Sequence, residues 1–264
     1  MPLICVCSPK GGAGKTMLAA NMAQLLRRFG QRVVAVDLDP QNALRLHFGE
    51  ALANEGGFLA GRRAALNWHA SATRVGDGVL ILPHGATDAN ERLVQERRLE
   101  LEPALLADLV AAMLAEPDLI VIVDTPPGVS TALTAVLPRA DIILVPLLAD
   151  GGSMAVLPDI EAGRFLGRGT LGRMLFTRVR FVLNQVEAGS PLSAAVAEGL
   201  LPRFGPHLLG FVARDAAVAE AFASGALVAD YAPDSRAAAD LLDLARILER
   251  LILSGSGKPA SVAA

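Results

Sequence analysis

The chain has 264 residues, of which 52% are hydrophobic and 19% are charged, and its formal net charge is −3. High apolar content with low net charge excludes an intrinsically disordered chain, and the charge balance gives no overall attraction to nucleic acid or to an anionic membrane. No apolar run reaches the ~18–20 residues of a membrane-spanning helix and no basic stretch precedes the first apolar run, so we expect a cytoplasmic protein without membrane insertion or a secretory signal.

Short apolar runs and helical patterns alternate along most of the chain. In chain order, we predict a strand at 3–8, a helix at 15–29, strands at 32–37 and 79–83, helices at 89–98 and 102–115, strands at 118–124 and 141–146, a helix at 152–166, strands at 178–184 and 208–212, and a helix at 234–253. Apolar strands without polar alternation are typical of a parallel sheet that is covered on both faces. The order therefore predicts an α/β fold with a mostly parallel twisted β-sheet and helices on both faces.

No linker-like stretch interrupts this alternation, which predicts a single domain over residues 1–253. Residues 254–264 are rich in glycine, serine and alanine and are predicted to form a flexible C-terminal tail. Cys5 and Cys7 lie in the first predicted strand, and we expect them to be small buried apolar residues rather than a disulfide. The four histidines, at positions 47, 69, 84 and 207, have no metal-ligand spacing.

The strongest motif is the segment KGGAGKT at residues 10–16, between the first predicted strand and the first predicted helix. Its glycines let backbone N–H groups approach phosphate oxygens, and the start of the helix adds partial positive charge. Lys15 is placed to reach the β- and γ-phosphates, and the Thr16 hydroxyl can ligate Mg²⁺. The predicted nucleotide-binding residues of this segment are Lys10, Gly11, Gly12, Ala13, Gly14, Lys15, Thr16 and Met17.

The loop departs from the ordinary phosphate-loop pattern, which has glycine where this chain has Pro9, and it carries an additional lysine at position 10. Lysine is scarce here, since only Lys10, Lys15 and Lys258 occur among 24 lysines and arginines. The KGGxGKT form resembles the deviant phosphate loop of the ParA/MinD family of ATPases. The resemblance implies a P-loop NTPase fold, slow hydrolysis of ATP to ADP and phosphate with Mg²⁺, and a homodimer with ATP sandwiched between the subunits. In such a dimer, Lys10 contacts the nucleotide of the other subunit.

Three aspartates lie at or just after the ends of predicted strands, where ligands of open parallel sheets bind. The stretches VDLDPQ at 36–41 and DTPPG at 124–128 resemble the two switch loops of the family. The resemblance implies that Asp39 orients the attacking water and is catalytic together with Lys10 and Lys15. It gives the magnesium site as Thr16, Asp37, Asp39 and Asp124. The alternative is that Asp37 or Asp39 merely caps a helix that begins at Gln41.

Two later residues are candidates for contacts with adenine. Asn184 ends a predicted strand at a position where the family commonly has an asparagine that contacts the base, although a turn asparagine is an equally simple interpretation. Arg214 follows the strand at 208–212, where the family usually has Pro-Arg, and here Ala213 replaces the proline.

Further stretches, at 41–49, 67–68, 81–85, 213–221 and 231–238, resemble the ParA-like ATPases encoded with bacterial cellulose synthase. The resemblance implies a switch that supports or localises cellulose synthesis and secretion, with cellulose synthase subunits as partners and recruitment to the inner membrane or cell pole. A partition ATPase that binds DNA non-specifically through arginines between 164 and 180 is the alternative. A non-hydrolysing scaffold also stays open.

Overall fold

The computed structural model describes residues 2–51, 56–59, 67–85, 88–102, 104–166 and 169–255, with the side chains of 169–171 left aside. Within these residues, the strands are β1 Leu3–Val6, β2 Arg32–Asp37, β3 Thr73–Val75, β4 Val79–Leu82, β5 Leu119–Asp124, β6 Ile142–Leu148, β7 Val179–Val186 and β8 Leu208–Ala213. The α-helices are α1 Lys15–Arg28, α2 Ala89–Leu101, α3 Ala104–Leu114, α4 Thr131–Val136, α5 Gly151–Ala155, α6 Leu157–Glu161, α7 Gly169–Phe176, α8 Pro191–Phe204, α9 Ala216–Ala223, α10 Val228–Tyr231 and α11 Arg236–Leu253. Most of the predicted tail, including Lys258, lies outside the described residues.

The eight strands form one sheet in the order β3-β4-β2-β5-β1-β6-β7-β8. Every neighbouring pair is parallel except β3 and β4. The chain builds the sheet outward on both sides of β1, so the loop after β1 lies where the direction of winding changes, the usual ligand site of such sheets. The predicted fold class is confirmed.

Both faces of the sheet are covered by helices, because the side chains of β1 alternate between two apolar cores. Leu3 and Cys5 face the core that contains α3, α4 and α8, whereas Ile4 and Val6 face the core that contains α1 and α11. Both cysteines are free and buried, as expected. In the part of the chain that the structure describes, no helix combines the length and the apolar character needed to cross a membrane.

All seven predicted strands are present, but the prediction of one helix at 152–166 is wrong. This stretch is divided into α5, α6 and a 3₁₀ turn at Arg164–Leu166. Pro158, which has no N–H to donate, starts the second piece, and Gly163 ends it with φ of +63°. The sequence reasoning also missed β3, because three residues at a sheet edge carry too little pattern to detect.

Candidate nucleotide site

The loop after β1 is shaped by glycines whose backbone conformation favours that residue. Gly12 and Gly14 have φ of +74° and +91°, and Gly14 lies immediately before α1. The unpaired N–H groups at the start of α1 therefore face the loop. Lys15, only 7% exposed, forms no ion pair with the described residues. A buried ammonium without a carboxylate partner is suited to an anionic ligand.

Two buried aspartates lie beside this loop. Asp37 ends β2 and Asp124 ends β5, and the two are register partners on neighbouring parallel strands. Burial, reinforced by the charge of Asp124, raises the pKa of Asp37 well above its ordinary range. Burial also raises the pKa of Asp124 to about 7, although the Thr16 hydroxyl and the Lys15 ammonium act in the opposite direction. The motif residues predicted to share one site are therefore close enough to influence one another's charge.

The two carboxylates differ in how they are satisfied. Asp37 accepts hydrogen bonds from the backbone N–H groups of Asp39 and Leu44, each at 3.0 Å. It thereby holds the loop after β2 and the first residue of a 3₁₀ helix at Leu44–Phe48, whose N-cap is Ala43. The helix from Gln41 that the capping alternative requires is not present. Both oxygens of Asp124 are buried, and neither accepts a hydrogen bond of full geometry from the described residues, although the Thr16 hydroxyl and the Thr125 N–H lie near enough to lower its pKa. Such oxygens are costly to bury alone and fit the water shell of a cation.

No three His, Cys, Asp or Glu side chains gather into a metal-binding cluster within the described ranges. The predicted metal residues thus do not form an all-protein cage. Mg²⁺ usually keeps several waters and binds one or two protein groups together with substrate phosphates, so this arrangement fits it.

Asp39 is half-buried at the edge of the site, and its carboxylate accepts the N–H of Gln41 at 2.9 Å. It lines a cavity of about 370 Å³ together with Pro126 and Pro127 of the second predicted switch loop. Gly128 of that loop donates its N–H to the Ser8 carbonyl at 3.0 Å, which ties the loop to the phosphate loop. The structure therefore brings both predicted switch loops to the phosphate loop, while the water-orienting role of Asp39 stays a prediction.

The side chain of Lys10 folds back onto its own chain. A Cβ atom added to Gly152 would lie 2.1 Å from the Lys10 Nζ, so the ammonium rests against the first turn of α5. Asp150 precedes that helix and caps it by accepting the Ser153 N–H at 2.7 Å. Lys10 is half-buried in this position.

A second cavity, of about 650 Å³, opens beside the phosphate loop at the ends of β7 and β8. Its lining includes Gly14, Met17, His47, Asn184, Arg214 and Phe222. Both predicted adenine residues thus lie at one cavity that begins at the phosphate loop. The size is within the ~300–1,000 Å³ that is usual for small-molecule sites.

Asn184 has a contact that the sequence did not indicate. Its buried side-chain amide donates to the Ala13 carbonyl at 2.9 Å, while its oxygen accepts the Gln185 N–H at 2.9 Å. A Cβ atom on Gly14 would lie 2.3 Å from the same amide nitrogen. Asn184 therefore braces the phosphate loop and is more than a turn residue, and its contact with adenine stays a prediction.

Arg214 lies at the rim of the cavity, with a side chain that is 64% exposed and paired with Glu187 at 3.2 Å. Two lining residues, His47 and Phe222, were missed by the sequence reasoning. They come from separate segments, the 3₁₀ helix and α9, so no spacing in the sequence could have paired them.

Three of the arginines between 164 and 180 make local contacts. Arg164 pairs with Asp159 at 2.6 Å, Arg178 donates to the carbonyl of Ala140 at 2.8 Å, and Arg180 donates to its neighbour's carbonyl at 2.7 Å. The ion pair offsets the charge of Arg164, whereas the hydrogen bonds to carbonyls leave Arg178 and Arg180 charged and hold their side chains against the protein.

The sequence matches the family model of cellulose biosynthesis protein BcsQ over residues 1–248. It is 25% identical over 236 residues to the cellulose biosynthesis protein BcsQ of Salmonella typhimurium, which covers 89% of each chain. It is 30% identical over 243 residues to the chromosome-partitioning ATPase Soj of Thermus thermophilus, covering 88% of this chain and 89% of that one. The septum site-determining protein MinD of Pyrococcus horikoshii, solved with Mg-ADP, superposes with a TM-score of 0.72 at 20% identity, covering 98% of this chain and 99% of that one.

Proposed function

Since the chain belongs to the BcsQ family of ParA/MinD-type ATPases, we propose that it binds and slowly hydrolyses ATP, dimerises in the ATP-bound state, and in that state supports or localises a bacterial cellulose synthesis and secretion complex. The observation that carries the proposal is the buried Lys15 ammonium, which has no ion pair among the described residues and lies near the buried Asp124 carboxylate, whose oxygens accept no hydrogen bond of full geometry from those residues. A polyphosphate with its cation would satisfy both groups.

The chemistry of this site is positioning and charge neutralisation. Lys15 and the N–H groups at the start of α1 hold the β- and γ-phosphates, and Asp39 orients the attacking water. Mg²⁺, when bound, neutralises charge on the β- and γ-phosphate oxygens; the Thr16 hydroxyl and Asp124 would hold it and its waters. Asp37 acts mainly by holding the loop that carries Asp39, since its oxygens already accept two backbone N–H groups.

Dimerisation gives Lys10 its role in the proposal. In the single chain its ammonium rests against Gly152, and in the ATP-bound dimer it would leave that position to contact the partner's nucleotide. Each nucleotide would then have a further positive charge beside its phosphates, and that charge comes from the Lys10 of the second subunit.

The test combines phosphate release from purified protein with light scattering in ATP or ADP. Wild type should release phosphate and double in mass with ATP, whereas Lys10→Ala should keep nucleotide binding and stay monomeric. Arg246→Ala, which removes an exposed cation of α11, is the matched control and should behave as wild type. Equal dimerisation of Lys10→Ala and wild type would refute the cross-subunit role. Absence of phosphate release with intact ATP binding would favour a non-hydrolysing scaffold.

Association with the cellulose complex is supported by the family match and by apolar side chains beside the switch loops. Leu93 and Val94 of α2 are 67% and 69% exposed, and Val129 of the second switch loop is 75% exposed. Such a surface would change when the nucleotide moves the loops. We expect purified cellulose synthase subunits to be retained by the immobilised protein in ATP and not in ADP. Equal retention in both nucleotides would contradict a nucleotide-dependent partner.

A partition ATPase with ATP-dependent non-specific DNA binding is the second candidate, favoured by the 30% identity to Soj. The local contacts of Arg164, Arg178 and Arg180 count against it. A salt-dependent gel shift in ATP separates the two, because non-specific DNA binding weakens steeply with salt.

A further inference from the structure

Part of the wall of the larger cavity is aromatic. His47 and Phe222 line it, and their ring centroids are 4.6 Å apart with a 47° angle between the rings. Phe222 is 42% exposed, so its ring is accessible from the cavity that it lines. His47 is 9% exposed, and burial lowers its pKa to about 4, so the imidazole is neutral near pH 7.

The two segments that carry these rings are held together by their backbones. Gly49 ends the 3₁₀ helix of His47, and Gly225 follows α9. A Cβ atom on Gly49 would lie 2.8 Å from the Gly225 carbonyl oxygen, and one on Gly225 would lie 2.9 Å from the Gly49 Cα. Only glycine at both positions allows this approach, so the aromatic wall is built into the fold.

The same 3₁₀ helix is connected to the phosphate end of the site. Its first residue, Leu44, donates its N–H to the Asp37 carboxylate at 3.0 Å. A ligand that packs on His47 therefore acts on a segment that Asp37 anchors beside Asp124.

Building on the proposed ATP-binding function, the geometry points to His47 and Phe222 as a wall that stacks against the nucleobase, and to the 3₁₀ helix at Leu44–Phe48 as the segment through which base binding affects the loop held by Asp37. Aromatic side chains stack on a base through their faces, and the neutral imidazole adds one donor and one acceptor for the edge of the base. The two rings and Gly14, beside which a bound nucleotide would change from phosphate to nucleoside, line the same cavity.

The test compares ADP with inorganic pyrophosphate, both with Mg²⁺, by titration calorimetry. Pyrophosphate can engage only the phosphate loop. We expect Phe222→Ala and His47→Ala to weaken ADP binding about tenfold, as is typical of a lost base stack, and to leave pyrophosphate binding unchanged. Phe222→Tyr should restore ADP binding. Tyr231→Ala, which removes an aromatic ring of nearly equal exposure outside the cavity, is the control.

Amide hydrogen exchange distinguishes contact with the base from a purely structural role, because only base contact makes protection depend on which ligand is bound. ADP should protect the amides of residues 44–48 in wild type, pyrophosphate should protect them less, and Phe222→Ala should remove the difference. If His47→Ala fails to fold, Phe222→Leu, which keeps apolar volume without a ring, decides the stacking role. Unchanged ADP affinity in both Phe222→Ala and Phe222→Leu overturns the inference. Failure of wild type to bind both ADP and pyrophosphate instead overturns the proposed function.

Discussion

The proposed nucleotide site has a phosphate end and a base end, which are built in different ways. The phosphate end consists of one glycine loop and the ends of two neighbouring strands, and its charged groups, Lys15, Asp37 and Asp124, are buried. The base end is assembled from four segments far apart in sequence, and its side chains are a mixture of amide, aromatic and partly exposed charged groups. A short motif therefore specifies the first region, whereas tertiary packing specifies the second.

The largest effect is expected at the phosphate end. Lys15→Ala should reduce the affinity for ADP and pyrophosphate alike by at least about 100-fold, because it removes a buried charge that pairs with phosphate. Titration calorimetry with both ligands measures the change. Lys10→Ala, the neighbouring lysine that rests against Gly152, should bind both nearly as wild type does. A loss confined to ADP would contradict the assignment of Lys15 to the phosphates.

Asn184→Ala tests the boundary between the two ends. It leaves the Ala13 carbonyl without its donor, so we expect the free energy of unfolding to fall by about 1–3 kcal/mol. If Asn184 mainly holds the phosphate loop in place, the affinities for ADP and for pyrophosphate should fall by the same factor. Gln185→Ala, at the neighbouring exposed amide of the same cavity, is the control for calorimetry and denaturant unfolding. Weakening of ADP alone would show that Asn184 belongs to the base end.

Gly225→Ala tests whether the close backbone approach of Gly225 and Gly49 is needed at the base end. Alanine at φ of +62°, with its Cβ 2.9 Å from the Gly49 Cα, must push the two segments apart. The strain of the left-handed conformation alone is about 1–2 kcal/mol. Gly189→Ala has similar strain, at φ of +81°, but faces open space, so it serves as the matched control. We expect ADP binding to fall in Gly225→Ala only and pyrophosphate binding to persist. Equal ADP affinity in Gly225→Ala and Gly189→Ala would mean that binding of the base does not depend on the close approach of the two backbones.

The smallest effect is expected at Asp215, which caps α9 and also accepts the Ala237 N–H of α11. Asp215→Ala should lower the free energy of unfolding at pH 7 by about 1 kcal/mol, the usual loss for such a cap. The Ala217 and Ala237 N–H groups hold the pKa of Asp215 below its ordinary value of 3.8. The ionised carboxylate therefore stabilises the folded chain fully above about pH 3.8. This stabilisation is lost as the pH falls through the lower pKa of the folded state. Denaturant unfolding at pH 7 and pH 3 should show the difference from wild type shrinking in acid, with Asp243→Ala as the exposed control.

The contrast between the two ends also explains what could be predicted from the sequence. The phosphate loop and strand-end aspartates could be predicted because backbone conformation and strand position are local properties. The division of the 152–166 helix could have been predicted from Pro158 and Gly163, whose local effects outweigh helical periodicity. The pairing of His47 with Phe222 could not have been predicted. Their contact depends on the packing of Gly49 against Gly225, and two single glycines far apart in the sequence form no recognisable pattern.

The resting position of Lys10 against Gly152 has a practical consequence for labelling. Lys15 is buried, and the third lysine, Lys258, can be replaced by arginine, the cation that this chain otherwise uses. In such a variant, Lys10 is the one lysine side chain outside the core. An amine-reactive dye would then have one lysine target besides the α-amino group, at the residue that in the proposed dimer exchanges Gly152 for the partner's nucleotide, so its fluorescence would report on subunit contact without any introduced cysteine.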